Sequence, residues 1–328
     1  MAIQSSGVIT LQDIQDEFGG TSPISLNEYY RNGSYVTSNN TSVPTSGSIT
    51  LSDFYGAVRQ FTFSITSNTQ NADINTMAVA AGWDGSAPLI TTVTSNVWLW
   101  SDSTSLGGVI ISGSFPGGLT LLNYGNIIGK GGDGGLTQGA AGSAGGPALT
   151  VASTGVSITN NSGAYIAGGG GGGGGARRFN GQWSGGGGGA GGGRGGATAT
   201  STATYAGGAI GQKGTSYYGA PGAAEAGGHS ATDNESSSGT SYGTGSGGGG
   251  RILPGVIQNY LHTTHGYGGA GGQQGGPGRV AGNDNIGAGG GGWGAAGGNA
   301  TYTGGAAGAA ISGTSVSLTN NGTIYGST

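Results

Sequence analysis

The sequence lacks cysteine, is poor in charged residues and contains no long apolar run. Without cysteine, the fold can hold neither a disulfide bond nor a cysteine-ligated metal. Nine basic and 13 acidic residues give a formal net charge of −4, and so few cations argue against nucleic acid as a partner. No stretch of about 18 apolar residues is present, so membrane insertion is not expected. The first residues lack the basic and apolar regions of a secretory signal, so we expect synthesis in the cytoplasm without a signal peptide.

Glycine is the residue that the sequence has in excess, at 83 of 328 positions. Only eight of these glycines lie in residues 1–106, so nearly all of the excess falls in the rest of the chain. A collagen triple helix is excluded, because it needs glycine at every third position with abundant proline, and the chain has only eight prolines. The uneven distribution indicates an ordinary folded part followed by a glycine-rich part.

Residues 1–58 contain a short repeat at 9–14, 24–29 and 49–54. Each copy has Ser or Thr followed three residues later by Asp or Glu, which is the pattern of a helix capping box. An isoleucine before the cap and an apolar residue after it have the spacing of a hydrophobic staple. We expect three short helices that end at Gly19, Asn32-Gly33 and Gly56, and a docking module rather than a small independent domain. The apolar residues assigned to this docking module are Ile9, Ile24, Tyr29, Ile49 and Phe54.

Residues 59–167 have the patterns of a β-rich neck. Strands are expected at 61–65, near Val93, at 97–100 and at 109–111, and residues 71–81 have apolar residues at helical spacing. The motif apolar-x-apolar-x-Asn-x-Gly-x-Ile-x-Gly then occurs at 119–129, at 316–326 and, with extra residues, at 156–168. Each copy predicts a strand, a turn and a short strand, which is a hairpin-like rung, and such rungs are expected to stack in space. Residues 309–328 would form a C-terminal rung that returns to the β layer.

Residues 168–308 are expected to form a glycine-rich insertion between the second and third rungs. A flexible linker is the usual interpretation of glycine runs, but Trp183 and Trp293 within this region and the regular interruptions favour an ordered structure. Polyglycine can adopt the polyproline-II helix, with three residues per turn, and such helices can form lateral backbone hydrogen bonds. The expected fold is mostly β with irregular structure: short N-terminal helices, a β-rich neck with repeated strand-turn-strand rungs, and a polyglycine-II helix bundle inserted between rungs.

These three features together resemble proteins of tailed bacteriophages. The repeats of residues 9–55 look like an N-terminal segment found on many virion proteins, and the rungs that end in Gly-Lys-Gly-Gly-Asp-Gly-Gly at 129–135 resemble those of glycine-rich tail proteins. The interrupted glycine runs are similar to the polyglycine-II sandwich of adhesins at the tips of T-even-like long tail fibres. The resemblance implies a virion protein that binds the host surface through loops between glycine helices. It also implies a homo-oligomer, with a trimer as the expected state.

The pieces between the glycine runs supply the candidate receptor-binding residues. Tyrosine, tryptophan and arginine are common anchors of binding surfaces, and rigid glycine helices would present the loops as a scaffold does. Alternate loops of an up-and-down bundle fall at opposite ends, and each aromatic could instead cap the bundle or contact another subunit. The candidates are Arg177, Arg178, Phe179, Trp183, Tyr217, Tyr218, Tyr260, His262 and His265.

No catalytic or metal-binding constellation is predicted. Gly129-Lys130 lacks the hydroxyl residue and the earlier glycine of a phosphate-binding loop. His262 and His265 could approach each other in a helical turn, but no third ligand is evident. Neither a Ser/His/Asp arrangement nor a carboxylate pair follows from the spacing. We therefore expect no cofactor, no metal and no enzymatic activity.

The function hypothesis is a bacteriophage tail fibre or tip adhesin, located in the virion. Its partners would be other tail proteins, through the N-terminal module, and a bacterial surface protein or glycan. The first alternative is a purely structural tail connector or capsid decoration protein, whose glycine bundle only fills space. The second is an ice-binding protein, against which Arg177-Arg178 and the irregular loops argue, since an ice-binding face is flat and nearly free of charge.

Overall fold

The computed structural model describes residues 3–38, 40–135, 140–177, 183–195, 241–243, 268–281 and 284–328. The three N-terminal repeats each begin a helical element: α1 (Leu11–Phe18) is an α-helix, whereas Leu26–Glu28 and Leu51–Phe54 are single 3-10 turns. The capping box is complete at α1, where the Thr10 side chain accepts from the amide of Asp13 and the Asp13 carboxylate accepts from the amide of Thr10 at 2.7 Å.

The ends of these elements differ from the prediction in two of three cases. The C-cap of α1 is Gly19, as the sequence indicates, but the C-cap of the second element is Tyr29, before Asn32-Gly33, and that of the third is Tyr55, one residue before Gly56. Tyr29 is fully buried and its hydroxyl donates to the carbonyl of Gly19 at 2.8 Å, so a tertiary contact ends the second element.

The three elements pack against one another around a single apolar core. Among the residues assigned to docking, Ile9, Tyr29 and Phe54 are buried in this core, and Ile24 and Ile49 are half-buried against it. They therefore hold the module together, and of the five only Ile24 and Ile49 keep part of their surface exposed. Their role in docking stays a prediction.

A second helix, α2 (Ile74–Ala80), follows the first three strands. Among the described residues, no helix has the length and apolar character needed to cross a membrane. The strands, in chain order, are β1 (Phe61–Ile65), β2 (Thr69–Gln70), β3 (Ala72–Asp73), β4 (Leu89–Val93), β5 (Trp98–Trp100), β6 (Val109–Ile111), β7 (Leu119–Asn123), β8 (Asn126–Ile128), β9 (Leu149–Val151), β10 (Val156–Asn160), β11 (Tyr165–Ala167), β12 (Ala176–Arg177), β13 (Trp183–Ser184), β14 (Ser241–Gly243), β15 (Arg279–Ala281), β16 (Asp284–Ile286), β17 (Ile311–Gly313), β18 (Ser317–Asn320) and β19 (Thr323–Tyr325).

Most of these strands wind into a three-faced coil. One face is the sheet β1-β4-β7-β10-β18, the second is β2-β5-β8-β11-β19, and the third is β3-β6-β9-β17. All pairs within the three sheets are parallel, so each full circuit of the chain adds one strand to each face, and the last part of the chain adds β18 and β19 to the first two faces. We call this part, residues 61–128, 149–167 and 311–325, the coil.

The predicted hairpin-like rungs have a different geometry in the structure. The two strands of a copy, such as β7 and β8, lie in different sheets and do not pair with each other. Each copy is instead one corner of the coil, and its strands pair in parallel with the corresponding strands of the other copies: β7 with β10, and β10 with β18. Alternating apolar and polar residues are equally typical of an antiparallel hairpin and of one circuit of a coil. The pattern alone therefore could not distinguish a hairpin from a corner of the coil.

The interior of the coil is apolar and stacks residues of equivalent position. Leu99, Ile127 and Ile166 lie side by side on successive circuits and are fully buried. Ile74 and Ala78 of α2 are also buried in this core, so the helix closes the interior beside the first circuits. Burial of this kind contributes about 25 cal/mol per Å² of apolar surface and is the main force that holds the circuits together.

Candidate functional site

The asparagine of each rung motif forms a hydrogen-bonded ladder inside the coil. Asn123, Asn160 and Asn320 occupy the same register on β7, β10 and β18. The side-chain amide of Asn123 donates to Oδ1 of Asn160 at 2.8 Å, and that of Asn160 donates to Oδ1 of Asn320 at 2.9 Å. Oδ1 of Asn123 also accepts from the amide of Gly125 at 3.1 Å. The ladder satisfies buried amides that would otherwise be costly and fixes the register of the circuits.

The glycine of the motif is required by a close backbone approach. A Cβ at Gly125 would lie 2.6 Å from the carbonyl oxygen of Val97 and 2.8 Å from that of Thr94, in the preceding circuit. The Asn-x-Gly spacing thus combines an internal hydrogen bond with a corner too tight for a side chain. The glycine-rich segments leave the coil at a different corner, after β8 and after β11.

The run 168–175 is the centre of a layer of glycine-rich segments. Successive amides along the run donate to three different neighbours in turn, and every third amide returns to the same neighbour. Within the run no residue has a positive φ. The donor–acceptor pairs are Gly169–Gly146, Gly172–Ser143 and Gly175–Ala140 along the first neighbour, Gly170–Ala190 and Gly173–Gly187 along the second, and Gly171–Ala295 and Gly174–Gly298 along the third, at 2.7–3.0 Å.

The carbonyl groups of the same run accept from three further segments. Six neighbours therefore surround the central run and satisfy its backbone groups without side chains. Residues 129–146, which the sequence places in the neck, supply two of these neighbours. The pairs are Gly132–Gly170 and Gly135–Gly173 from one segment, Ala288–Gly174, Gly291–Gly171 and Gly294–Gly168 from the second, and Tyr302–Gly175, Gly305–Gly172 and Gly308–Gly169 from the third, at 2.7–3.1 Å.

One end of the layer rests on the coil. The amide of Gly168 donates to the carbonyl of Tyr325 in β19 at 2.9 Å, and the turn at Gly191 approaches the backbone of Gly129. Trp293 is fully buried here, in a cluster with Ile128 of β8 and with alanines of β11 and of a neighbouring run. Trp98 and Trp100 of β5 pack against the same cluster. Apolar side chains thus occur where the layer meets the coil.

The other end of the layer, where the central run ends, carries short strands. β12 follows directly after the central run and pairs antiparallel with β13, which brings Arg177 and Trp183 opposite each other. The strands β14, β16 and β15 form a three-stranded sheet that contacts this pair. The amide of Arg177 donates to the hydroxyl of Thr301 at 3.0 Å, so another loop also meets here. We call residues 176–177, 183–184, 241–243, 279–281, 284–286 and 299–303 the far end.

The structure locates two of the nine sequence-predicted receptor-binding residues. Arg177 lies at the far end and is exposed, and the backbone of Trp183 lies beside it. Arg178, Phe179, Tyr217, Tyr218, Tyr260, His262 and His265 lie outside the described residues. Sequence patterns did not indicate that Thr301 lies at the far end. Its hydrogen bond with Arg177 joins two residues that are more than a hundred positions apart in the sequence.

Charged side chains near the coil also pair. The guanidinium of Arg194 donates through Nε to Asp133 at 2.8 Å, and the Arg194 amide donates to the same carboxylate at 2.8 Å. The hydrogen bond and the charge of Asp133 raise the pKa of Arg194 above its ordinary value. Together with Lys130, Asp102 and Thr104 they line a cavity of about 470 Å³. Both cations there have hydrogen-bonded partners, since the Lys130 ammonium donates to the carbonyl of Gly192.

Within the described part of the chain, no three His, Cys, Asp or Glu side chains come together as metal ligands would. No protein among those of curated function matches the chain. Among solved structures, the chain is similar to the gp37-gp38 adhesin tip complex of the long tail fibre of bacteriophage S16, with a TM-score of 0.50, 21% identity and 99% of each chain covered. At this identity the likeness shows a shared fold.

The sequence itself matches a family model described as phage tail fibre adhesin Gp38, over residues 60–328. The match begins one residue before β1 and covers the whole coil, the glycine layer and the far end. Because it spans 269 of the 328 residues, the protein belongs to the Gp38 family of phage tail fibre adhesins.

Proposed function

We propose that this protein binds a receptor on the host cell through the far end of its glycine layer, and that the layer is a polyglycine-II bundle. The observation that carries the proposal is the three-residue rotation of hydrogen-bond partners along the central run, because three residues per turn is the period of the polyproline-II helix. A bundle of such helices is a rigid support, and rigid supports commonly carry binding residues on their connecting loops.

The proposed contact residues are those that interrupt the glycine runs. Arg177 and Trp183 belong to strands of the far end. Arg178 and Phe179 come between them in sequence, and Tyr217, Tyr218, Tyr260, His262 and His265 belong to later interruptions of the glycine runs. A bacterial surface protein or glycan offers hydrogen-bonding groups and flat apolar faces, which arginine and aromatic side chains recognise well. The exposed position of Arg177, away from the coil, supports this assignment.

The N-terminal module, residues 3–58, is proposed to attach the protein to the tail. The structurally similar S16 protein is part of a complex of two tail-fibre components, gp37 and gp38. The family model begins at residue 60, after the module, so the module is separate from the part that defines the adhesin family. Homo-oligomerisation stays a prediction. The coil does not require it, since one chain completes all three faces.

As a member of this family the protein is a structural component of the virion tail and not an enzyme. The experiment that tests receptor binding is competition: purified protein is added to susceptible bacteria, and adsorption of the phage is measured. We expect the wild-type protein to block adsorption and a double variant, Arg177→Ala with Trp183→Ala, to block it less. A matched control is Tyr124→Ala, since Tyr124 is exposed on a corner of the coil.

The outcome separates an adhesin from a purely structural tail protein. If saturating folded protein leaves adsorption unchanged, receptor binding by this chain is refuted. If the wild type and both variants block equally, the protein binds the host through residues other than Arg177 and Trp183. Thermal unfolding of each variant shows whether a loss of blocking reflects a loss of fold.

A further inference from the structure

The N-terminal module and the coil are joined by a short connection, residues 58–60. On the module side, backbone hydrogen bonds hold the chain as far as Ala57, whose carbonyl accepts from the amide of Ile3 at 2.8 Å. On the coil side, the amide of Phe61 in β1 donates to the carbonyl of Pro88 at 2.9 Å. The family match begins within this connection, at residue 60. The connection therefore joins the part proposed to attach to the tail to the part that defines the adhesin family.

The module and the coil have separate apolar cores. The buried residues of the module's core end at Ala57, and those of the coil's core begin at Ile65. Among the described residues, no backbone hydrogen bond joins the module to the coil. Beside the connection lies a cavity of about 280 Å³, lined by Asp16 of α1 and by Asp84, which follows α2. Parts of a chain that lack a large common apolar interface are expected to move relative to each other unless other contacts hold them.

The backbone of the connection is bound by the side chain of Asn40. Oδ1 of Asn40 accepts from the amide of Val58 at 2.8 Å, and Nδ2 of Asn40 donates to the carbonyl of Val58 at 3.1 Å. This pair of bonds satisfies both backbone groups of one residue, as a neighbouring antiparallel strand would. Asn40 is itself buried in a turn, where its amide donates to the carbonyl of Thr37 and its carbonyl accepts from the amide of Val43. A turn of the module thus positions the side chain that holds Val58.

Glu17, in the last turn of α1, binds the next residue of the connection. Its Oε1 accepts from the amide of Arg59 at 2.6 Å, across 42 positions of sequence, and the Glu17 side chain is only 6% exposed. Burial of a carboxylate is costly, and the helix dipole opposes a negative charge at the C-terminal end of a helix. Local preferences therefore disfavour glutamate at this position. A residue that conflicts with its local surroundings commonly serves a function elsewhere in the fold, and here the contact with Arg59 supplies one.

We infer that the side chains of Asn40 and Glu17 form a latch that fixes the direction of the module relative to the coil, and thereby the direction in which the far end faces the host. The inference rests on the proposed attachment and receptor-binding functions and adds two positioning residues to them. Because both side chains bind backbone groups, the latch holds the connection itself. Without the latch, residues 58–60 can rotate about their backbone dihedral angles beside the cavity, while the two separate cores stay folded.

The test measures the distance between the module and the coil in the full-length protein by double electron–electron resonance. Because the chain has no cysteine, Ser34→Cys in the module and Ser157→Cys on β10 give two unique sites for spin labels, both at exposed positions. We expect a single narrow distance distribution in this labelled protein. Adding Asn40→Ala and Glu17→Ala should broaden the distribution, because the connection then samples several directions.

Hydrogen–deuterium exchange of the same proteins measures the latch bonds directly. The amides of Val58 and Arg59 donate to the two latch side chains, so their exchange should accelerate by about tenfold or more in the double alanine variant. The amide of Tyr29, which donates within the module, should stay protected and thus reports that the module is folded. If the double variant unfolds the module, Glu17→Ala alone carries both measurements. Glu17→Gln keeps an acceptor oxygen and should behave as the wild type does.

The matched control is Asn27→Ala with Glu28→Ala, which replaces the same two residue types at exposed positions of the module. A distance distribution that stays narrow in a folded latch variant overturns the inference, and so does equal broadening in the control. The competition assay separates this result from the proposed function. The latch variant should block phage adsorption as the wild type does, because its far end is unchanged. Failure of the wild type to block adsorption refutes receptor binding, whereas the distance measurement still decides whether the latch exists.

Discussion

Replacement of Gly172 by alanine tests whether the glycine layer is packed on backbone alone. A Cβ at this position would lie 1.9 Å from the carbonyl oxygen of Asp133 and 2.3 Å from its carbonyl carbon. Real Cβ atoms essentially never approach another heavy atom within 3.0 Å, so the neighbouring run must be displaced. Because φ at Gly172 is not positive, the substitution brings collision without backbone strain.

The expected loss of stability follows from the contacts of the displaced run, residues 129–135. Overpacking of a close-packed interior costs about 1–3 kcal/mol. The run 129–135 also donates two hydrogen bonds to the central run, through Gly132 and Gly135, and each such bond contributes about 1 kcal/mol. We therefore expect a loss of about 3–5 kcal/mol in the free energy of unfolding of the layer. At about 2 °C per kcal/mol for a large domain, Tm should fall by about 6–10 °C.

The measurement is thermal unfolding of the variant with two controls. Gly163→Ala places a Cβ in open space but at φ +81°, so it reports backbone strain of about 1–2 kcal/mol without collision. Ala288→Gly removes a side chain from a buried position in a neighbouring run and should cost about 0.5–1 kcal/mol. If Gly172→Ala melts no lower than Gly163→Ala, the layer is not close-packed at its centre and the reasoning fails.

Three further substitutions test the ladder and two charged groups by thermal unfolding. Asn160→Ala should lower the free energy of unfolding by about 2–3 kcal/mol, since it leaves buried amide partners unsatisfied. Asn320→Ala, at the exposed end of the ladder, should lower it by less than about 1 kcal/mol. Equal losses would contradict the ladder. Backbone amides that donate to the Asp84 carboxylate hold its pKa below the ordinary value, so its contribution is present above the unfolded pKa and is lost as pH falls through the folded one. The acid loss of Tm should therefore shrink in Asp84→Asn, and an unchanged pH profile would contradict this. Arg194→Gln removes an exposed ion pair with Asp133. It should lower the free energy of unfolding by about 0.5–1 kcal/mol at low salt and by less at high salt. A loss of stability that does not depend on salt would mean that the hydrogen bonds of Arg194, and not its charge, stabilise the fold.

Features that depend on neighbouring residues could be predicted from the sequence. α1 begins at its capping box and ends at Gly19, and α2 lies within the predicted segment 71–81. The strand at 61–65 lies where alternation places it, and the strand at 109–111 lies at a predicted run of β-branched residues. In each case the side chains that decide the element are within a few residues of it.

Features that depend on distant partners could not be predicted. The two strands that pair with β7 are β4, which lies before it in the chain, and β10, which lies after it, each separated from β7 by about 30 residues. The alternation in β7 is the same whether its partners are parallel or antiparallel. The glycine runs are a stronger case, because residues without side chains carry no information about which run lies beside which. The hydrogen-bond partners of the run 168–175 come from segments on both sides of it in sequence, and only the folded chain shows them.

If the protein binds a receptor as proposed, the same close packing limits which residues can recognise that receptor. Along the central run a Cβ would meet backbone within about 2 Å at Gly169, Gly171 and Gly174, so this run admits no side chain that could distinguish one receptor from another. Specificity must then come from the residues that interrupt the runs, of which Arg177 is the first exposed charged one after the central run. Lengthening an interruption costs little, since loop-closure entropy grows only with the logarithm of loop length. On the proposed function, a central run that tolerates no side chain thus supports loops that can vary in both sequence and length.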